Sequence, residues 1–344
     1  MKTLSNDILL QVLSGASTSR PPVWLMRQAG RILPGYRSIR ASVRGFKELV
    51  SSPDLAAEVT IEPVEKLGVD AAILFSDILV IPECMGLDYE MVESVGPRFP
   101  VTIQSQENID NLLSGDDAAG KLGYVYDAIA ETLTRLEGRV PLIGFAGAPW
   151  TLLSYMIEGS GSKTFWKAKR FLYQHPASAH DLLEKLTDTI IAYLQAKIKA
   201  GVHVVQLFDS WAGILNYQLY TEFGLPYLNK ITTSLQQVPV IIFARGAWFA
   251  LHQLNTLPCA ALGIDWQTQP AYVRSICGKN RVLQGNLDPV CLMGDHDTIR
   301  ERSLDAINEF GPPHIMNLGH GVYPDTPLEN VKYFVELIKS YRYE

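Results

Sequence analysis

Cysteine is scarce: four residues, at 84, 259, 277 and 291, in a chain of 344, with no C-x-x-C pair among them. That excludes a disulfide framework and the usual zinc-ribbon patterns, and reads as reduced thiols in an intracellular protein. Long apolar runs are lacking too. The best, Ala71 to Pro82, is broken by Ser76 and Asp77, too short and too polar to cross a membrane. The opening MKTLSNDILLQVLSG puts Ser5, Asn6 and Asp7 where a signal peptide carries its apolar core. Excess positive charge is absent: the net charge is −6, which argues against nucleic acid as a partner. Polar linkers, charge blocks and residue repeats are absent as well, so the sequence predicts one domain over 1–344, cytoplasmic and not membrane-bound. No H-E-x-x-H, G-x-S-x-G or clustered Cys/His set occurs. Gly159-Ser-Gly-Ser-Lys-Thr164 resembles a phosphate loop but lacks Gly before Lys163 and follows a helix-like run, so nucleotide binding is not expected.

What the chain has is apolar bulk, 47% of its residues, arranged in short runs. They are PVWLM (22–26), AAILF (71–75), VPLIGF (140–145), HVVQLF (203–208), PVIIFA (239–244), AALGI (260–264), RVLQG (281–285) and HIMNL (314–318). Nearly continuous apolar character over so few residues is the mark of parallel strands buried on both faces. Helical signals lie between them. Ser52-Pro53-Asp54 opens one helix and Gly68 closes it; Pro176 to Gly201 is a long amphipathic stretch. Thr326-Pro-Leu-Glu329 reads as a capping box, with Val331, Phe334, Val335 and Ile338 at helical spacing after it. Eight strands alternating with helices predict an α/β fold, a single (β/α)8 TIM-type barrel, with a doubly wound open sheet as the rival.

In such a barrel the chemistry gathers where strands end. The residues there are Arg27-Gln28-Ala29-Gly30-Arg31, Ser76-Asp77, Gly147 to Trp150 and then Tyr155, Asp209-Ser210-Trp211, Arg245-Gly246, Asp265-Trp266, Asn286 to Asp288, and Gly319-His320-Gly321. Taken singly, each is ordinary punctuation or a cap; together they predict a site. From Arg27 to Lys47 there are six basic residues and no acid, so this segment carries +6 in a chain of −6 and the remainder holds −12. Arg37, Arg40 and Arg44 suit a solvated helix face, whereas Arg27 and Arg31 follow a buried strand and suit bidentate capture of carboxylates. Asp77 stands among apolar residues. It is either a cap for backbone N–H groups or an acceptor for ligand N–H groups. Tyr155 and Ser210 are neutral donors or packing, and His320 sits in a Gly-His-Gly frame that would leave its ring exposed.

These residues also carry a resemblance. Pro22-Val-Trp-Leu-Met-Arg-Gln-Ala-Gly-Arg31 with Leu33-Pro34 and Tyr36-Arg37 resembles the N-terminal signature of the uroporphyrinogen decarboxylase family. Gly144-Phe-Ala-Gly-Ala-Pro-Trp-Thr151 with Tyr155-Met156 and Glu158-Gly159 resembles its second signature. Phe75 to Leu79, Phe208 to Ser210, Gly285 to Pro289 and Asn317 to Gly321 are similar to further family blocks, in the family's order. Gly35 departs from the pattern, since a larger residue, often Glu, is expected there.

The resemblance implies a single barrel, usually a homodimer, that removes CO2 from the four acetates of uroporphyrinogen to give coproporphyrinogen, without metal or organic cofactor. It places the substrate residues at Arg27, Gln28, Ala29, Gly30, Arg31, Asp77, Tyr155, Ser210 and His320, with Asp77 and Arg27 as the catalytic pair. Losing CO2 requires a place for two electrons, and a pyrrole protonated at the adjacent carbon provides it. Asp77 would face the pyrrole N–H groups and stabilise the cationic ring. The proton donor stays open among Arg27, a substrate carboxyl group and water, a guanidinium being a weak acid. A corrinoid-linked zinc methyltransferase of the same superfamily is the alternative. It would need a His-x-Cys pair where this chain reads Phe243-Ala244-Arg245.

Overall fold

The computed structural model describes residues 3–92 and 96–343. Its apolar runs do form parallel strands. We number them β1 (Ala72–Ile73), β4 (Leu142–Gly147), β5 (Val204–Asp209), β6 (Val240–Ala244), β7 (Ala261–Gly263), β8 (Val282–Leu287) and β9 (His314–Leu318). Separately, β2 (Glu90–Val92) pairs antiparallel with β3 (Gly96–Arg98). The seven parallel strands lie side by side in the order β1-β4-β5-β6-β7-β8-β9. Every residue of β4, β8 and β9 is buried, as two-sided coverage requires.

The first predicted strand closes the ring. On one side Met316 N donates to Pro22 O (2.8 Å) and Trp24 N to Met316 O (3.4 Å); on the other Asp70 N donates to Val23 O (2.8 Å). Residues 22–24 thus stand between β9 and β1 as the eighth stave. Only a single bridge, Val23 to Met316, forms here, rather than a ladder. Proline at 21 and 22 has no N–H to donate, which limits the pairing. Asp70 compensates. Its carboxylate accepts Val23 N (2.8 Å), takes both ends of the Arg20 guanidinium (2.6 and 2.8 Å) and accepts from Asn6 (2.9 Å).

The helices form where sequence places them, with two local differences. Pro53–Leu67 ends at Gly68 (φ 68°) and Pro176–Ala200 at Gly201 (φ 114°), both left-handed positions that favour glycine. Ser52, expected as a cap, makes no side-chain bond; Pro53 and Asp54 in the first turn carry the start. The last helix is Leu328–Ser340, and its capping box is not formed. Thr326 N donates to Tyr323 O (3.1 Å), a turn that holds Thr326 outside the helix with its buried hydroxyl unpartnered. Val331, Phe334, Val335 and Ile338 are fully buried on the barrel side. No helix among the described residues is long and apolar enough to cross a membrane.

Candidate active site

The C-terminal ends of the strands surround a cavity of about 540 Å3. Its floor and inner wall are aromatic. Phe145, Phe208 and Phe243 come from three neighbouring strands and meet edge to face, with centroids 5.6 and 6.1 Å apart. Phe75 adds a fourth ring, flanked by Tyr36 at 5.6 Å and Phe46 at 5.7 Å. Sequence reasoning left the three strand phenylalanines out, although each sits near the end of an apolar run.

Asp77 enters this apolar space from the end of β1. Phe75 N donates to Thr60 Oγ1 (2.8 Å), which turns the chain out of the sheet. One Asp77 oxygen then accepts Leu79 N (2.9 Å) and starts the short helix Val80–Cys84. Asp77 therefore caps a turn, as one of its two readings has it, and it also lines the cavity. Burial raises its pKa above the usual carboxylate value, opposed by the N–H groups of Leu79 and Ile78 and by the Tyr89 hydroxyl. Tyr89 comes from the loop before β2, a segment with no site signal in the sequence.

Arg27 sits at φ 62°, a left-handed conformation that a non-glycine side chain adopts only under constraint. Three contacts impose it. Gln28 N donates to Leu25 O (3.0 Å), Gln28 Oε1 accepts Leu25 N (3.0 Å), and Met26 N donates to Asn317 Oδ1 (3.0 Å). Gln28 Nε2 donates to Ala71 O (3.0 Å), so this side chain is fully buried and spent on backbone. Gln28 is thus not brought into the cavity by its side chain; it holds the turn that projects Arg27. Ala29, Gly30 and Arg31 do line the cavity, and both arginines are exposed at its rim.

Behind them runs the helix Pro34–Ser42, whose first turn lacks a side-chain cap. Glu62 supplies the anion instead, accepting Gly35 N (2.7 Å) and Tyr36 N (2.8 Å). A Cβ at residue 35 would lie 2.5 Å from that carboxylate, so the larger residue of the family pattern would require the Glu62 side chain to shift.

Ser210 follows β5 and lines the cavity; His320 follows β9 and lines it too. The His320 ring is half-buried, not exposed as the two flanking glycines suggested. Those glycines provide space: a Cβ on Gly319 would strike the Trp266 backbone, and one on Gly321 would strike the Arg27 side chain. Burial first, then Arg27 and Arg245, push the His320 pKa down to about 3, so the imidazole is neutral. Tyr155 lies outside the cavity wall, in an adjoining corner. Its ring packs against Phe165 (5.7 Å) and Trp211 (6.2 Å), and burial raises its pKa.

The comparisons with known proteins agree with this geometry. The model of the family described as uroporphyrinogen decarboxylase (URO-D) matches residues 4–341. The uroporphyrinogen decarboxylase of Christiangramia forsetii is 46% identical over 341 residues, covering 98% of this chain and 99% of the relative. That of Schizosaccharomyces pombe is 44% identical over 353 residues, covering 98% of each. Among solved structures, a methyltransferase from Methanosarcina mazei superposes with a TM-score of 0.80 over 96% of this chain and 97% of its own, at 20% identity, a likeness of fold. With a family model spanning almost the whole barrel and relatives above two-fifths identity end to end, the chain belongs to the uroporphyrinogen decarboxylase family.

Proposed function

We propose that this chain removes CO2 from the four acetate side chains of uroporphyrinogen, giving coproporphyrinogen. One observation carries the reading. Asp77 is the acidic side chain on the floor of an aromatic cavity whose rim bears Arg27 and Arg31. A tetrapyrrole with eight carboxylates at its edge and four N–H groups at its centre matches that distribution of charge. The guanidinium groups take edge carboxylates, each charge-assisted bond contributing roughly 1.5–3 kcal/mol.

Asp77 accepts the central N–H groups. Those donors favour its ionised form and offset the burial that raises its pKa. When a pyrrole carbon is protonated, the ring becomes cationic and takes up the electron pair of the breaking C–CO2 bond; the methylene left behind then gains a proton, and the ring carbon gives up the one it received. A fixed anion under the ring lowers the energy of the cationic state most, because the surrounding phenylalanines exclude water and weaken screening. Ser210 and His320, which also line the cavity, orient further carboxylates. The neutral imidazole acts as a hydrogen-bonding group there and not as a cation. Tyr155 contributes from the adjoining corner. This chemistry runs on substrate and side chains, so no cofactor is assigned. The methyltransferase alternative gains nothing from a likeness at 20% identity.

We infer further that the chain is a single cytoplasmic barrel domain that works as a homodimer. Exposed Tyr217 and Trp248, apolar rings facing solvent beyond β5 and β6, support a partner surface. Sedimentation of the purified protein tests the dimer. For the reaction, the protein is incubated anaerobically with uroporphyrinogen and the oxidised porphyrins are separated. A ladder from eight to four carboxyl groups is expected, and unreacted substrate overturns the reading.

A further inference from the structure

The corner beyond His320 contains a cation that no part of the mechanism uses. Arg245 follows β6, and its backbone is fixed on both sides: its N–H donates to Asp209 O (3.1 Å) and its carbonyl accepts Gly213 N (2.8 Å). The guanidinium carbon lies 5.0 Å from the centre of the Trp211 ring and 5.9 Å from that of Trp266. Two indoles thus cover its faces and leave the N–H edge available. Arg245 makes no ion pair among the described residues. The carboxylate acting most strongly on it, Asp265, is already taken by Gly246 N, Gln267 N and Thr268 Oγ1.

The free edge points at His320. Arg245 Nη1 is 3.1 Å from His320 Nε2, while Gly321 N sits 2.5 Å from Nδ1. A neutral imidazole has one lone pair for these two donors. The Gly321 N–H belongs to the backbone and cannot turn away, so the geometry assigns Nδ1 as the acceptor and Nε2 as the protonated nitrogen. Arg245 Nη1–H and His320 Nε2–H then face the same space as two donors without an acceptor. Arg27 adds a second positive charge that acts on both groups. Half-buried cations with unmatched donors are costly until an anion arrives.

We propose that Arg245 binds substrate directly, gripping one carboxylate jointly with His320. Donors 3.1 Å apart suit the two oxygens of a single carboxylate, one accepting from Arg245 Nη1 and the other from His320 Nε2. Arg245, set behind the wall, then joins His320 and Ser210, which line the cavity, in a second anion site. The inference rests on the proposed tetrapyrrole substrate and adds a residue to its binding.

The test compares the full-length enzyme with Arg245→Gln and Arg245→Lys. Substrate KM and affinity for coproporphyrin, the oxidised product, are both measured, the latter by quenching of tryptophan fluorescence. Arg245→Gln should raise KM and weaken coproporphyrin binding roughly tenfold or more, with Arg245→Lys between it and the parent. A folded Arg245→Gln protein with both values within about twofold of the parent overturns the proposal. Should that variant not fold, a structure of the unmodified protein with coproporphyrin decides. A carboxylate on the Arg245 edge supports the site, and Arg245 still against His320 with no carboxylate near refutes it. If the unmodified protein binds coproporphyrin at Arg245 but turns over no uroporphyrinogen, the proposed reaction fails while the anion site stands.

Discussion

Gly321 lends its missing side chain to Arg27: a Cβ there would fall 2.6 Å from Arg27 Cγ and 2.9 Å from its Nε. Arg27 is already held at φ 62° by a turn tied to β9 through Asn317, so it has little freedom to move aside. Gly321→Ala should therefore act on the reaction more than on the fold. The expected result is a fall in kcat/KM of roughly tenfold or more, with the thermal midpoint nearly unchanged. Gly319→Ala is the control. Its Cβ would lie 2.7 Å from the Trp266 Cα, a backbone atom that cannot yield, so that variant should lose stability instead. Equal effects of the two substitutions on kcat/KM and on the midpoint would refute the distinction.

Asp77→Asn separates the two duties of this side chain. Asn keeps an oxygen for Leu79 N–H but removes the charge under the substrate. Turnover should fall by roughly 100-fold or more, since the lost term belongs to the transition state. Stability should rise, and the sign follows from linkage. The folded pKa lies above the unfolded one, so the native state binds the proton more tightly. The stability this confers is present at acid pH and lost as pH rises through the folded pKa. At neutral pH the charged side chain costs stability, and Asn removes that cost. Near-normal decarboxylation by a folded Asp77→Asn protein would falsify its role.

Much of this arrangement is visible in the sequence because two-sided burial leaves no polar alternation to obscure the strands. VPLIGF and PVIIFA could hardly be anything else. The stave at 22–26 is legible as apolar but not as a lone bridge, since its pairing is limited by two prolines and completed by Asp70, nearly fifty residues away. Arg27, Arg31, Asp77 and His320 stand out because ionisable side chains follow apolar runs closely. Gln28 has the same position in sequence and a different fate. Its amide closes its own turn and reaches Ala71 O, a contact between two runs that only the closed barrel creates. Tyr89 is illegible for the opposite reason: it arrives beside Asp77 through a long excursion whose path no local pattern encodes.

Asp209 tests how the floor next to Ser210 is held. Its carboxylate is fully buried and, among the described residues, accepts from two neutral donors, Thr151 Oγ1 at 2.7 Å and Tyr220 OH at 2.9 Å. Burial raises its pKa to about 6. An unfolded Asp titrates near 4, so between about pH 4 and 6 the native state keeps a proton that the unfolded chain releases. The fold should weaken as pH rises through that window, by an order of about 3 kcal/mol. Asp209→Asn retains an acceptor and abolishes the titration. Urea midpoints measured across the window should decline for the parent relative to the variant, and parallel curves would contradict the assignment.

Lys197 offers a stabilising change that leaves the site alone. Its ammonium position is fully buried in the helix Pro176–Ala200, against the outer face of β4. Nζ donates to Phe145 O at 2.7 Å and sits 4.1 Å from the Tyr193 ring centre, with no carboxylate paired to it among the described residues. Desolvation holds its pKa well below the usual lysine value. A base with a depressed native pKa costs stability at neutral pH, because the unfolded chain binds the proton more tightly than the native state does. Lys197→Met replaces the stem with a chain of similar length and forfeits one hydrogen bond, worth about 1 kcal/mol. Relief of the buried amine should exceed that loss, raising stability by roughly 1–4 kcal/mol at pH 7, by analogy with buried ionic groups replaced by apolar ones. The gap should then close as pH rises toward about 10.4, where the unfolded lysine also becomes neutral. A variant less stable than the parent at pH 7, or a gap that does not change between neutral and alkaline pH, would show that burial does not penalise the charged form of this lysine.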